Sequence, residues 1–308
     1  MLALVAAPGT EVGIELREVP EPSPAPHEAV VEVRAVSLNR GEVRALSAAR
    51  DGARHGWDLA GVVAQPAQDG SGPTAGARVV GLLPSGAWAQ RVAVRTSLLA
   101  ELPEEVSFAA ASTLPVAGLT ALRILRLGGL ILGKRVLVTG AAGGVGRFAV
   151  QLAAMAGAHV TGVVGRPERA EGLAALGAQD IVMSFELEGP SFDLILESVG
   201  GASLAAAFSR VVPRGVIVTF GSSSAEPTTV DVRAFYRRSG ACVYAFALFS
   251  ELERDPSASA DLAHLAGLVA AGRLRPQIDL EMSWRQPGPA LAALMGRQVA
   301  GKAVLHVD

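Results

Sequence analysis

The chain has 308 residues, half of them hydrophobic and 18% charged, with a net charge of −2. At roughly 150 residues per domain this length predicts about two domains, with cores large enough to need no staples, and the composition excludes a disordered chain. The charge balance argues against a nucleic-acid protein held by a broad basic face. Cys242, the lone cysteine, excludes an intramolecular disulfide and a cysteine-rich zinc site.

The N-terminal stretch lacks a charged leader and acids begin at Glu11, so no signal peptide is expected. The longest apolar runs are broken by Gly, Arg or Ser, so no membrane span is expected either. A cytoplasmic, reducing location fits both readings and the single cysteine.

The first third alternates apolar and polar residues in short runs at 29–36 (AVVEVRAV), 79–83 and 90–94, separated by Pro-, Gly- and Ser-rich segments at 20–26 and 65–76. That pattern predicts a small β-rich barrel or sandwich. After Val106 helical spacing covers 109–127, and 135–139 (RVLVT) reads as a buried parallel strand. Strands are then expected at 159–164, 181–183, 192–196, 215–220 and 241–246, with helices at 145–156, 167–176, 203–211 and 261–271. Strand–helix alternation predicts a doubly wound parallel sheet. The tail, 274–308, shows the same pattern as the first third and ends in a strand at 302–307, which allows it to belong to the first domain.

The strongest chemical signal is 136–151, VLVTGAAGGVGRFAVQ. A buried strand leads into Gly140, Ala141, Gly143, Gly144 and Gly146, and a helix opens at Val145. Small residues let the backbone approach a pyrophosphate, and the helix turns its amides and positive dipole end toward that anion. The spacing departs from G-x-G-x-x-G, and a tight strand–helix turn without a ligand is the competing reading. An NAD site would place an acid about 20 residues on, at the end of the second strand. Here Gly165 and Arg166 stand there, Arg169 follows, and no acid occurs between His159 and Pro167. Arginine chelates a 2′-phosphate that an acid would repel, so NADP(H) is expected over NAD(H). Solvated helix-start arginines are the alternative. Ser198, Gly221, Ser222, Ser223 and Phe246 lie at later strand ends and are candidate cofactor walls.

An ordered series of motifs runs through nearly the whole chain: 35–39 (AVSLN), 56–61 (GWDLAG), 86–90 (GAWAQ), 114–122 (LPVAGLTAL), 141–146 (AAGGVG), 198–201 (SVGG) and 301–305 (GKAVL). The chain resembles the medium-chain dehydrogenase/reductases of the quinone oxidoreductase, or zeta-crystallin-like, branch. The resemblance implies an α/β protein with a GroES-like β-rich catalytic domain, 1–115 and 273–308, around a Rossmann NADP-binding domain, 116–272, with the active site in the cleft between them. Zinc-dependent relatives carry a cysteine just after the segment matching 37–39 and a histidine in the segment matching 56–58. This chain has Asn39-Arg40 and Trp57 there, so no metal is expected.

Without metal, the implied reaction is conjugate reduction: hydride passes from NADPH to the β-carbon of a quinone or α,β-unsaturated carbonyl, and the protein aligns the pair and stabilises the enolate oxygen. Asn39 and Thr120 match family positions near the nicotinamide, and the Asn39 amide would donate to substrate or cofactor. Several relatives carry a tyrosine where this chain has Arg44, and 1–115 contains no tyrosine. Arg44 would stabilise an enolate or bind an anionic substrate group, but an arginine does not protonate carbon. His55 and Asp58 read more readily as structural groups, and no general acid can be named. The brief connections at 41–55 and 65–76 suggest an open cleft suited to flat, bulky acceptors.

An enoyl-thioester or polyketide-type ene reductase, or a tailoring enzyme of secondary metabolism, is the enzymatic alternative, and a non-catalytic NADPH-binding protein is the alternative outside it. The expected partner is a small electrophile, with neither nucleic acid nor membrane. The resemblance implies a homodimer, and the apolar run 241–249 (ACVYAFALF) fits an edge strand covered by a second copy, with a buried central strand as the alternative.

Overall fold

The computed structural model describes residues 1–186 and 188–308. The chain divides into two compact units, Met1–Leu119 with Phe249–Asp308, and Thr120–Leu248.

The first unit opens with an antiparallel pair, β1 (Leu2–Ala6) and β2 (Ile14–Glu18). The long strand β3 (Glu28–Leu38) leads into a short helix α1 (Arg40–Ala45), and β4 (Asp58–Gln65), β5 (Arg78–Leu82), β6 (Arg91–Arg95) and β7 (Leu99–Glu101) follow. Alternating Val, Ala and Leu on these strands bury Val31, Val33, Leu59, Val79 and Val92 in one core with Trp88 and Trp284. Helix α2 (Phe108–Ser112) is capped by Ser107, whose hydroxyl accepts the N–H of Ala110.

The single helix expected at 109–127 is broken into three pieces. After α2 the chain widens into a π-helical turn at Leu114–Gly118 before α3 (Leu119–Arg126). Pro115 has no N–H to give, and the N–H of Val116 donates to the carboxylate of Asp58 at 2.8 Å.

The second unit holds β8 (Arg135–Thr139), α4 (Gly144–Met155), β9 (His159–Val163), β10 (Asp180–Val182), β11 (Phe192–Glu197), α5 (Gly201–Arg210), β12 (Val211–Thr219), α6 (Val232–Tyr236) and β13 (Cys242–Ala245). Its six strands are all parallel, in the order β10-β9-β8-β11-β12-β13. Counted from β8 this is 3-2-1-4-5-6, the doubly wound order whose switch point lies between the first and fourth strands. The helix expected at 167–176 is instead a 3-10 turn at Pro167–Ala170 followed by turns. Gly172 there adopts φ +78°, which a right-handed helix does not allow.

The chain then returns to the first unit through α7 (Leu248–Arg254), α8 (Ser259–Ala270), β14 (Ile278–Ser283), α9 (Gly288–Met295) and β15 (Lys302–His306). Strand β15 pairs antiparallel with β3, closing the order β14-β15-β3-β4-β5-β7, while β6 pairs with β3. The sequence places the second boundary at 272, whereas here α8 belongs to the first unit. Its Leu265 packs against Gly118 of the π-helical turn. No helix among the described residues is long and apolar enough to cross a membrane.

Candidate functional site

In the second unit the glycine turn sits at the switch point. Gly140 adopts φ +60° directly after β8, and the N–H of Gly143 bonds back to its carbonyl at 2.9 Å. Gly143 is the extended N-cap of α4, so the free amides of Gly144 and Val145 open the helix. Gly146 lies on the Gly140 carbonyl and Ala141, whose Cα stands 2.7 Å from where a Cβ would be. Glycine is therefore required at 140 for its conformation and at 146 for closeness. Gly140 and Gly143 leave their backbone exposed, the cradle that an anion needs.

The neighbouring strand ends complete this face of the sheet. The N–H of Ser198 donates to Thr139 Oγ1 at 2.8 Å, and its hydroxyl donates to the Thr139 carbonyl. The loop after β12 zips onto the loop after β11, with Ser223 N–H on the Ser198 carbonyl and Ser224 N–H on that of Val199. Glu197, fully buried, holds the first of these loops from within. Its carboxylate accepts the N–H groups of Val199 and Gly200 at 3.0 Å and the Ser203 hydroxyl at 2.8 Å. Gly221 and Ser222 are exposed, Phe246 is buried at the end of β13, and Thr120 is buried on α3. At the end of β9, Gly165 and Arg166 are exposed and a Cβ on Gly165 would meet nothing within 4 Å. Arg169 lies in the 3-10 turn that follows.

The first unit contains a buried polar cluster where β3, α1, β4 and β15 meet. Asp58 Oδ2 accepts the Ser37 hydroxyl at 2.6 Å, the Asn39 amide at 2.8 Å and the Lys302 ammonium at 3.4 Å. Lys302 also donates to Asn39 Oδ1 at 2.7 Å and to the Leu38 carbonyl at 3.2 Å. Glu42, three residues into α1, accepts both the backbone N–H and the side-chain amide of Asn39 on Oε1, at 2.7 and 3.1 Å. Its other oxygen is buried without a partner. Burial pushes the Glu42 carboxyl up to about 8, the Asp58 charge adds to the rise, and Lys302 opposes it. A rise to about 8 favours the protonated form of the Glu42 carboxyl at neutral pH.

This geometry corrects one expectation. Both hydrogens of the Asn39 amide are engaged by Glu42 and Asp58, and an amide nitrogen has only two. Asn39 therefore has no N–H left for substrate or cofactor, and it acts by holding the end of β3 in place. Arg44 is exposed on α1. Trp57, half-buried, meets Phe249 edge-on with centroids 5.2 Å apart, and its ring lies over Gly41, where a Cβ would come within 2.7 Å. His55 leaves Nε2 buried and unpartnered, and burial lowers its pKa.

Glu42, Lys302 and Glu197 do not stand out in the sequence as site residues. Two signals point to the first two of them. The spacing Asn39-x-x-Glu42 is that of a capping box. Lys302 is one of two lysines in a chain whose other basic residues are arginine.

A 3-2-1-4-5-6 parallel sheet with a glycine turn after its first strand is the architecture of dinucleotide-binding proteins. Residues 176–305 match the family model of zinc-binding dehydrogenases. The chain is 32% identical over 315 residues to the spectinabilin polyketide synthase system protein NorB of Streptomyces orinoci, covering 97% of this chain and 14% of that protein. It is 35% identical over 190 residues to the chloroplast envelope quinone oxidoreductase homolog of Arabidopsis thaliana, covering 56% of this chain and 57% of that one. The chain thus spans less than two thirds of the length of either relative. Among solved structures, the Escherichia coli quinone oxidoreductase complexed with NADPH superposes with a TM-score of 0.85 at 22% identity, covering 99% of this chain and 100% of that one. These similarities support a medium-chain dehydrogenase/reductase of the quinone-oxidoreductase-like kind, with a GroES-like and a Rossmann fold.

Proposed function

We propose that the chain is an NADPH-dependent, zinc-independent oxidoreductase that delivers hydride to a quinone or an α,β-unsaturated carbonyl. The observation that carries this reading is the glycine turn of 140–146, exposed at Gly140 and Gly143, at the switch point of the parallel sheet. The second unit is the nucleotide-binding domain and the first the catalytic domain. Gly140, Ala141, Gly143, Gly144 and Val145 would hold the pyrophosphate, and Gly165, Arg166 and Arg169 the 2′-phosphate. Ser198, Gly221, Ser222, Ser223, Phe246 and Thr120 would form the remaining walls. The nucleotide, when bound, supplies the hydride.

The zinc-independent part rests on the donor set. The groups around Asp58 are an ammonium, an amide, a hydroxyl and a peptide N–H, all of which give hydrogen bonds to it. Lys302 already supplies the positive charge that a metal would bring. With Trp57 and Asn39-Arg40 at the positions where zinc relatives place ligands, these residues do not fit zinc.

In the first unit the chain's own groups orient and stabilise. Lys302, Glu42 and Asp58 fix Asn39, and Arg44 offers a guanidinium to an anionic oxygen of the acceptor. The enoyl-thioester reading is favoured by the relative from a polyketide synthase system, which aligns with 97% of this chain. We place the protein in the cytoplasm, where the exposed thiol of Cys242 stays reduced, and as a homodimer. The test is NADPH oxidation followed at its nicotinamide absorbance with quinones, small enones and enoyl thioesters in turn. Turnover of any class is expected, and its absence with every class would overturn the reading.

A further inference from the structure

We propose that Arg147 is a positioning residue for cofactor specificity: its guanidinium ties the loop that carries Arg166 and Arg169 to the glycine turn, and so holds the contacts to the 2′-phosphate of NADPH in place. The inference rests on the NADPH reading and deepens it.

Arg147 is the fourth residue of α4 and only 7% exposed. A buried cation needs its donors satisfied, and two loops satisfy them here. Its Nε donates to the Ala142 carbonyl at 3.3 Å, inside the glycine turn. Its Nη2 donates to the Glu171 carbonyl at 3.1 Å, directly after the 3-10 turn at Pro167–Ala170. One planar group thus spans the proposed pyrophosphate cradle and the loop after β9.

The loop depends on this tie because it has no helix of its own. A regular helix over 167–176 would use the Glu171 carbonyl internally, for the N–H four residues on. Instead that carbonyl faces Arg147, and Gly172 turns the chain with φ +78°. A Cβ on Gly172 would stand 3.3 Å from Arg147 Nη1, so the turn closes onto the guanidinium. The backbone bonds of the stretch are local, from Arg169 N–H to the Arg166 carbonyl and from Leu173 N–H to that of Ala170. The glycine turn is held differently. Gly143 N–H bonds to the Gly140 carbonyl, Ala141 N–H to that of Val163 and Arg147 N–H to that of Gly143, all through the backbone. Loss of the guanidinium therefore loosens the 2′-phosphate loop and leaves the cradle in place. NADPH, which uses both, is affected, and NADH, which uses the cradle alone, is spared. A lysine would keep the charge but not the fork that reaches two carbonyls at once.

The test titrates NADPH and NADH, by nicotinamide fluorescence, into the parent protein and into Arg147→Met, Arg147→Lys and Gly172→Ala. Hydrogen exchange over 165–176 is followed in the same proteins without nucleotide. In Arg147→Met, exchange there should quicken and NADPH affinity fall about tenfold, about the worth of one hydrogen bond from a charged donor, with NADH within about twofold of the parent. Arg147→Lys should lose most of the NADPH preference too, and a lysine variant that keeps all of it would show that charge rather than position acts. Gly172→Ala works from the loop side with α4 intact, and so keeps the test open if the Arg147 variants do not fold. It is expected to shift the preference in the same direction. In an Arg166→Gln background, adding Arg147→Met should change NADPH affinity by less than about twofold, because the effect passes through that loop. An unchanged NADPH to NADH ratio in Arg147→Met and Gly172→Ala, an equal loss of both nucleotides, or unaltered exchange over 165–176 would each overturn the proposal. A parent that binds both nucleotides equally fails the cofactor reading, and the specificity role with it. A parent that prefers NADPH beside an unaffected Arg147→Met fails the role alone.

Discussion

The ammonium of Lys302 lies 2.7 Å from Oδ1 of Asn39, across 263 residues of sequence. This contact, with the 3.4 Å pair from Lys302 to Asp58, ties the last strand of the chain to the end of β3. Both side chains of the ion pair are almost entirely buried, so removing one partner leaves an uncompensated charge. Lys302→Met is expected to cost about 3–5 kcal/mol, measured by chemical denaturation. Adding Asp58→Asn should recover part of that loss. A Lys302→Met variant as stable as the parent would show that the cluster does not support the fold.

Glu42 makes the cluster pH-dependent. Its carboxyl rises from 4.5 to about 8 in the folded protein. Below 4.5 both states are protonated and nothing is lost. Between 4.5 and about 8 the unfolded chain releases the proton while the folded chain keeps it, so this group's contribution to stability falls as pH rises, and it levels off above that range. Glu42→Gln keeps the shape of the neutral acid without its titration. The stability of Glu42→Gln relative to the parent should therefore increase from pH 5 to pH 8, read from denaturation midpoints across that window. A pH-independent difference would mean that Glu42 is ionised in the folded protein.

In the proposed reading, cofactor choice turns on the end of β9. A Cβ on Gly165 meets nothing within 4 Å, so a side chain there costs little in packing. Gly165→Asp places an acid where NAD sites carry one. It should weaken NADPH binding by about tenfold or more and improve NADH, and Arg166→Gln should weaken NADPH alone. Fluorescence titration with the two nucleotides checks both variants. An unchanged NADPH to NADH ratio in each would remove this strand end from the cofactor site.

Much of the second unit is legible in the sequence because its signals are local. An apolar pentapeptide followed by spaced glycines defines β8 and the turn before α4 with no knowledge of the remainder. The helix expected at 167–176 fails for a reason also local, since Gly172 takes a conformation that its neighbours do not announce. The polar cluster is not legible in this way. Lys302 reaches Asn39 only because β15 pairs with β3, a pairing that no window of sequence contains. Resemblance singles out Asn39, but its role changes once both amide hydrogens prove to be engaged.

The apolar run at 241–249 is only partly strand. Cys242–Ala245 forms β13 at the edge of the six-stranded sheet, and helix α7 begins at Leu248. Val243 on that edge is 40% exposed. If the edge joins two copies, Val243→Lys should halve the mass seen by light scattering at micromolar concentration, since lysine on an edge strand blocks pairing. A monomeric parent protein would refute the homodimer outright.

The most direct test of the proposed function is titration of the purified protein with NADPH and NADH, followed by addition of acceptors to the NADPH complex. Tighter binding of NADPH, with its oxidation when a quinone, enone or enoyl thioester is added, is the expected result. Binding of neither nucleotide would contradict the assignment of the 140–146 turn, and the proposed hydride transfer would fall with it.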